Sequence, residues 1–118
     1  MKAYTLLSIA AFCGPATAFW GQLSIGQVWE SEGGEYQNID LLDYSTGSTY
    51  EVQDLHDGFS GCVSTPCSVE FYETSSGGYN FPALLWRSSD GCHHIDFQGA
   101  LGSGAGYCCG SLPCNIGA

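Results

Sequence analysis

The sequence predicts an all-β fold, a small antiparallel sandwich or sheet stack stapled by disulfides. Three observations carry that expectation. Gly and Ser punctuate nearly every ten residues, and the apolar residues between them are rich in aromatic and β-branched types, which suit a pleated strand better than a helix. The best-patterned run, Ser68–Thr74 (SVEFYET), alternates Val69 and Phe71 on one face with Glu70 and Tyr72 on the other. Residues 19–118 also hold six cysteines, an even set in a short chain.

In chain order, Trp20–Trp29 (WGQLSIGQVW) reads as a strand that sets Leu23 and Ile25 against Gln22 and Ser24, with Gly26 as a bulge. The acidic stretch Glu30–Gly47 has turns at Gly33-Gly34 and Thr46-Gly47, and is either a hairpin arm through Ile39–Tyr44 or a loop. Thr49–Leu55 places Tyr50 and Val52 on one face. Ser75–Gly78 forms the tip of a hairpin, and Ala83–Ser88 is apolar on both faces until Arg87, as in a central strand. Cys92–Gln98 sets His93, Ile95 and Phe97 opposite Cys92, His94 and Asp96. Gly99–Gly106 is a surface loop, and Tyr107–Cys109 is a last short strand. No repeat or long linker divides 19–118, so a single cysteine-rich β domain is expected.

The first eighteen residues read differently. Lys2 precedes the apolar run Ala3–Cys13, Gly14-Pro15 breaks it, and Ala16-Thr17-Ala18 supplies the small-x-small pattern of a signal-peptide cleavage site. Residues 1–18 are therefore expected to be an export signal, leaving a secreted, extracellular chain that begins at Phe19. All twelve acids lie after Ala18, and twelve carboxylates against the one remaining Lys or Arg, Arg87, leave a net charge of −11. Such a surface repels phosphate backbones and anionic lipid, so neither nucleic acid nor membrane is an expected partner.

Export also sets the redox state. Cys13 departs with the signal, and Cys62, Cys67, Cys92, Cys108, Cys109 and Cys114 are expected to form three disulfides. The adjacent pair Cys108-Cys109 is too strained to bond to itself. It should tie one strand to two neighbours, with one partner from Cys62 or Cys67 and the other from Cys92 or Cys114. No CxxC or HxxxH spacing favours a metal, and no cofactor is expected.

The candidate chemistry is sparse. His56 beside Asp57 has the pairing that general bases use, although the triplet HDG reads more readily as a polar turn. His93 and His94 point to opposite faces of one strand, so at most one of them serves any site. An enzyme would have to bring His56, His93 or His94 together with a Glu and Arg87. Asp40, Asp43, Asp54 and Asp57 read as solvated loop carboxylates. The aromatics Trp20, Trp29, Tyr36, Tyr44, Tyr50 and Tyr79 supply contact surface for a protein or a glycan, with most of them expected in the core.

Two resemblances follow from these residues. The tract Ser75–Leu84 (SSGGYNFPAL), followed by Arg87, is similar around Tyr79–Pro82 to the segment of secreted fungal guanyl-specific ribonucleases that carries a catalytic Glu. Here Asn80 stands in that place, which puts catalysis in doubt. The format as a whole, with an export signal, a short acidic chain and the C-terminal run CHH…YCCGSLPC, resembles the small secreted cysteine-rich proteins of filamentous fungi. That resemblance implies a non-enzymatic effector or virulence-associated interaction protein, monomeric, with a host or cell-wall protein or glycan as partner and a bias toward basic ones. A small secreted hydrolase and a structural or adhesive surface protein are the alternatives.

Overall fold

The computed structural model describes residues 19–76, 78–101 and 104–117. The expected export signal lies outside this range, as do Gly77 in the expected hairpin tip and Gly102-Ser103 in the expected Gly-rich loop. Eight strands follow one another: β1 (Trp20–Ser31), β2 (Gly34–Asp43), β3 (Thr49–His56), β4 (Cys67–Glu73), β5 (Asn80–Arg87), β6 (Cys92–Asp96), β7 (Ala105–Cys109) and β8 (Cys114–Gly117). A 3-10 segment, Gly58–Cys62, joins β3 to β4.

Each strand pairs antiparallel with its successor, and β8 returns to β1 through Trp20↔Gly117 to Leu23↔Cys114. The architecture is therefore a closed barrel, and the expectation of a sandwich or sheet stack is corrected on that point. The connectivity gives the reason. Every strand stays beside its neighbour in sequence, so none crosses to a second sheet, and a twisted sheet of eight strands can close on itself. The short closing strand, Cys114–Gly117, was not anticipated. Glu30–Gly47 resolves as the hairpin alternative, with Asp40 and Asp43 in β2 and Asp54 in β3 instead of in loops.

Alternation fills the interior. Leu23, Ile39, Leu41, Val52, Phe71, Phe81, Ala83, Leu85, Ile95 and Ile116 all point inward and are buried. Phe71 stacks on Phe81 at 5.2 Å between ring centroids, and Tyr50 meets Phe81 edge-on at 5.3 Å. β5, read as apolar on both faces, obeys the same rule, because Leu84 and Trp86 face outward and are only half-buried.

Hydrogen bonding is thin at two seams. Among the described residues, β3 and β4 register only through Tyr50↔Glu73 and Glu51↔Tyr72, extended by Thr74 N–H donating to Thr49 O at 2.8 Å, and β7 and β8 only through Tyr107↔Gly117. A disulfide crosses the second, and another lies in the connection that precedes the first. Cys62–Cys67 closes the segment leading from β3 into β4, and Cys108–Cys114 bridges β7 to β8. The third, Cys92–Cys109, joins register partners on β6 and β7. The cysteine doublet does tie one strand to two neighbours, but Cys62 and Cys67 bond each other, and neither reaches the doublet. Cys62 ends the 3-10 segment and Cys67 opens β4 with four residues between them, a short bend that brings them together before any distant partner.

Candidate functional site

The feature that organises the outer wall is Asn38, at the middle of β2. On one side it faces two residues of β1, because the register passes from Ile25↔Ile39 to Val28↔Gln37. On the other it faces two residues of β3, because the register passes from Ile39↔Val52 to Gln37↔Leu55. One central residue thus opposes a bulge on each flank, Gly26-Gln27 and Gln53-Asp54.

Sequence explains both bulges. A Cβ on Gly26 would lie 2.8 Å from Asp40 Oδ2, so only glycine lets the Asp40 carboxylate rest there undisturbed. Asp54 has φ 61°, a left-handed conformation that Asp tolerates better than most residues. Its N–H donates to Asn38 Oδ1 at 3.1 Å, so the central side chain fastens the bulge.

Each bulge adds one residue and so reverses the facing of everything beyond it. Trp29 and His56 become register partners of the outward-facing Tyr36, on the same wall as Ser24, Asp40 and Glu51. Trp29 and Tyr36 stack with centroids 6.1 Å apart, and Tyr36 meets His56 edge-on at 5.1 Å. The outer face of β1–β2–β3 therefore runs from an aromatic row, through an amide row at Gln27, Asn38 and Gln53, to the carboxylates Asp40 and Glu51.

Two adjoining depressions occupy this face. One of about 420 Å³ is lined by Gln27, Trp29, Asn38, Gln53 and Asp54. The other, of about 270 Å³, is lined by Trp29, Ser31, Tyr36 and Asp54. Trp29 and Asp54 belong to both, so the indole divides a single groove. A third, of about 430 Å³, lies further along the wall and includes Gln22, Ser24, Asp40, Thr49, Glu51 and Thr74. Arg87 lines none of the three, and neither does any histidine.

Asp40 and Glu51 are register partners across β2 and β3. Burial holds the Asp40 carboxyl above the ordinary aspartate range, and the charge of Glu51 and a hydrogen bond to it push the same way. Glu51 also accepts from Asn38 Nδ2 and Gln53 Nε2, each at 3.4 Å. The two carboxyl groups therefore lie close to each other across the pair of strands. They do not stand the ~5–9.5 Å apart that acid–base hydrolysis of a glycosidic bond requires.

The sequence candidates for acid–base work fall into separate environments. His56 uses both ring nitrogens locally, Nε2 lying 2.8 Å from Gly33 O and Nδ1 3.4 Å from Asp57 Oδ2. His93 points inward and is buried, edge-on to Phe59. His94 faces outward, stacked between Trp86 and Tyr107, with Nε2 2.8 Å from Ser88 Oγ. Ser88 in turn bonds Asp90 Oδ1 at 2.5 Å, so the order is Asp–Ser–His, with the carboxylate on the serine and not behind the imidazole. A serine that donates to a carboxylate is not activated by its histidine. Arg87 pairs in register with His93 on an exposed strand end.

In the ribonuclease-like tract, Phe81 is core and Asn80 is exposed beside Tyr72. Of the six aromatics singled out for contact, Trp20, Tyr44 and Tyr79 are exposed and Tyr50 is core. Sequence reasoning passed over Asn38, Gln27 and Gln53. The one signal for them was the glycine at position 26, which marked one of the two bulges.

Among the described residues no group of three His, Cys, Asp or Glu is placed to hold a metal ion, and no helix is long and apolar enough to cross a membrane. No family model, curated protein or solved structure matches the chain.

Proposed function

We propose that this is a secreted, non-enzymatic interaction protein that binds a glycan through the outer face of β1–β2–β3. The observation that carries the reading is the double bulge around Asn38. It brings Trp29 beside the outward-facing Tyr36, on the wall that bears Gln27, Gln53 and Asp54, around a divided groove. Aromatic rings take the C–H faces of pyranose units, while amides and carboxylates hydrogen-bond their hydroxyls. The groove has both kinds of group and lacks the convergent nucleophile, base and oxyanion donors that a hydrolase needs.

Export is supported by the N-terminal charge, apolar run and small-x-small site, together with three disulfides of a kind that persist in oxidising compartments. The resemblance in format to small secreted cysteine-rich fungal proteins supports a partner outside the producing cell, on a host or wall surface, and an effector role.

The test is retention of the oxidised protein on insoluble wall polysaccharides, compared with its Trp29→Ala variant. Retention that falls about ten-fold in the variant is the expected result, since a central indole is a common binding hot spot. Equal retention of both proteins, or none of either, would refute the reading.

A further inference from the structure

The chemical class of the glycan follows from the groove's inventory, an inference that rests on the glycan reading above. The groups lining the two joined depressions are an indole, a phenol, three amides, a hydroxyl and one carboxylate, Asp54. Neither depression contains a Lys or Arg, and residues 19–118 hold only Arg87, at the far end of β5. His56 lies nearby, but its nitrogens are occupied by Gly33 O and Asp57. Nothing in the groove can therefore meet a uronate or a sulfate, and an acidic polysaccharide would leave its charge unpaired against Asp54.

The placement of Asp54 favours the opposite charge. It is the one residue besides Trp29 that borders both depressions, so an acidic residue adjoins the indole-bearing divide where two neighbouring sugar rings would meet. Its backbone lies in the left-handed region at φ 61°, and its N–H donates to Asn38 Oδ1, which anchors the residue in the bulge. A carboxylate next to an indole face is a receptor for an ammonium group, combining charge-assisted hydrogen bonding with cation–π attraction.

We infer that the Trp29–Asp54 groove selects an amino-sugar chain with free primary ammonium groups, of the β-linked glucosamine type, with one ring on each side of the indole. The charge of −11 over residues 19–118, twelve carboxylates against Arg87, attracts the same ligand at longer range.

The experiment measures binding of a soluble glucosamine hexamer and its fully N-acetylated counterpart to the oxidised protein by titration calorimetry at mildly acidic pH and two salt concentrations. The inference expects tighter binding of the free-amine hexamer, weakening with salt. Asp54→Asn should weaken that ligand roughly five-fold and leave the acetylated one unchanged, and asparagine keeps the left-handed backbone. Asp96→Asn on β6 removes the same charge elsewhere and should change binding by less than about two-fold.

Equal affinity for the two hexamers would overturn the ammonium inference and leave the glycan reading standing. An equal loss in both Asp variants would mean that the polycation merely adsorbs to an acidic protein, and would also overturn the inference. Binding of neither hexamer, together with failure on the polysaccharides above, would remove both.

Discussion

His93 meets Phe59 edge to face, with ring centroids 4.8 Å apart, and its buried Nδ1 has no hydrogen-bond partner among the described residues. Phe59 belongs to the 3-10 segment that Cys62–Cys67 closes, so the imidazole sits beneath this cap as a neutral, largely apolar group. Burial holds its pKa below the usual 6.5, and the charges of Arg87 and His94 act in the same direction.

A histidine whose folded pKa is depressed contributes stability above its unfolded value and loses it as pH falls through the folded one. Wild-type protein should therefore lose stability below pH ~6.5, while a His93→Leu variant lacks this contribution to the acid limb. Thermal melts at pH 7.5 and pH 5 check this. The variant should gain on wild type by several degrees at the lower pH, and parallel shifts in the two proteins would show that His93 does not titrate on unfolding.

Asp40 titrates in the opposite sense. Its raised pKa means that the folded state holds a proton more tightly than the unfolded chain, so its contribution is favourable in acid and is lost as pH rises through the folded value. Near neutrality the Asp40–Glu51 pair is then a mild liability. Asp40→Asn should raise Tm by roughly 2–4 °C at pH 7, a small gain because the pair is partly solvated, and the gain should fade as pH falls toward ~4. A gain independent of pH would show that the carboxyls are not coupled.

Much of the fold was legible because it follows period-2 burial. Val69 and Phe71, Tyr50 and Val52, and His93, Ile95 and Phe97 all lie on the faces their spacing assigned. Closure was not legible. It depends on four residues, Cys114–Gly117, too few to show a pattern, and on the cumulative twist of seven preceding strands. The interior is also fuller than a disulfide-dependent chain suggested, with aromatic packing from Phe19 to Phe97 at 4.9 Å.

The site was less readable than the fold. Gly26 signalled one bulge, but Asp54 read as a solvated loop acid because nothing local reveals a left-handed residue inside a strand. Histidines drew attention through their chemistry, whereas the groove is built from amides whose value comes only from position.

The Cys108–Cys114 bridge should be the most consequential of the three for barrel closure, because among the described residues β7 and β8 otherwise share a single register pair. Replacing both cysteines by serine should cost about 2 kcal/mol, the chain-entropy value for so short a loop. Hydrogen exchange should then accelerate in β8 and the Trp20–Leu23 half of β1 before it does in β2. Uniform acceleration across the barrel would mean that closure does not behave as a separate seam.

The double bulge makes the sharpest prediction, because it separates the binding face from the barrel. Deleting Gln27 would remove the extra residue on β1 and restore simple alternation opposite Asn38. Trp29 would then turn to the opposite side of the ribbon, away from Tyr36, while Leu23 and Ile39 kept their buried places. Bulge residues make few ladder hydrogen bonds, so Tm should fall only modestly. Polysaccharide retention, by contrast, should drop as far as it does for Trp29→Ala. A deletion variant that folds, shows an altered tryptophan emission and still binds like wild type would establish that the groove beside Asn38 is not where the ligand sits.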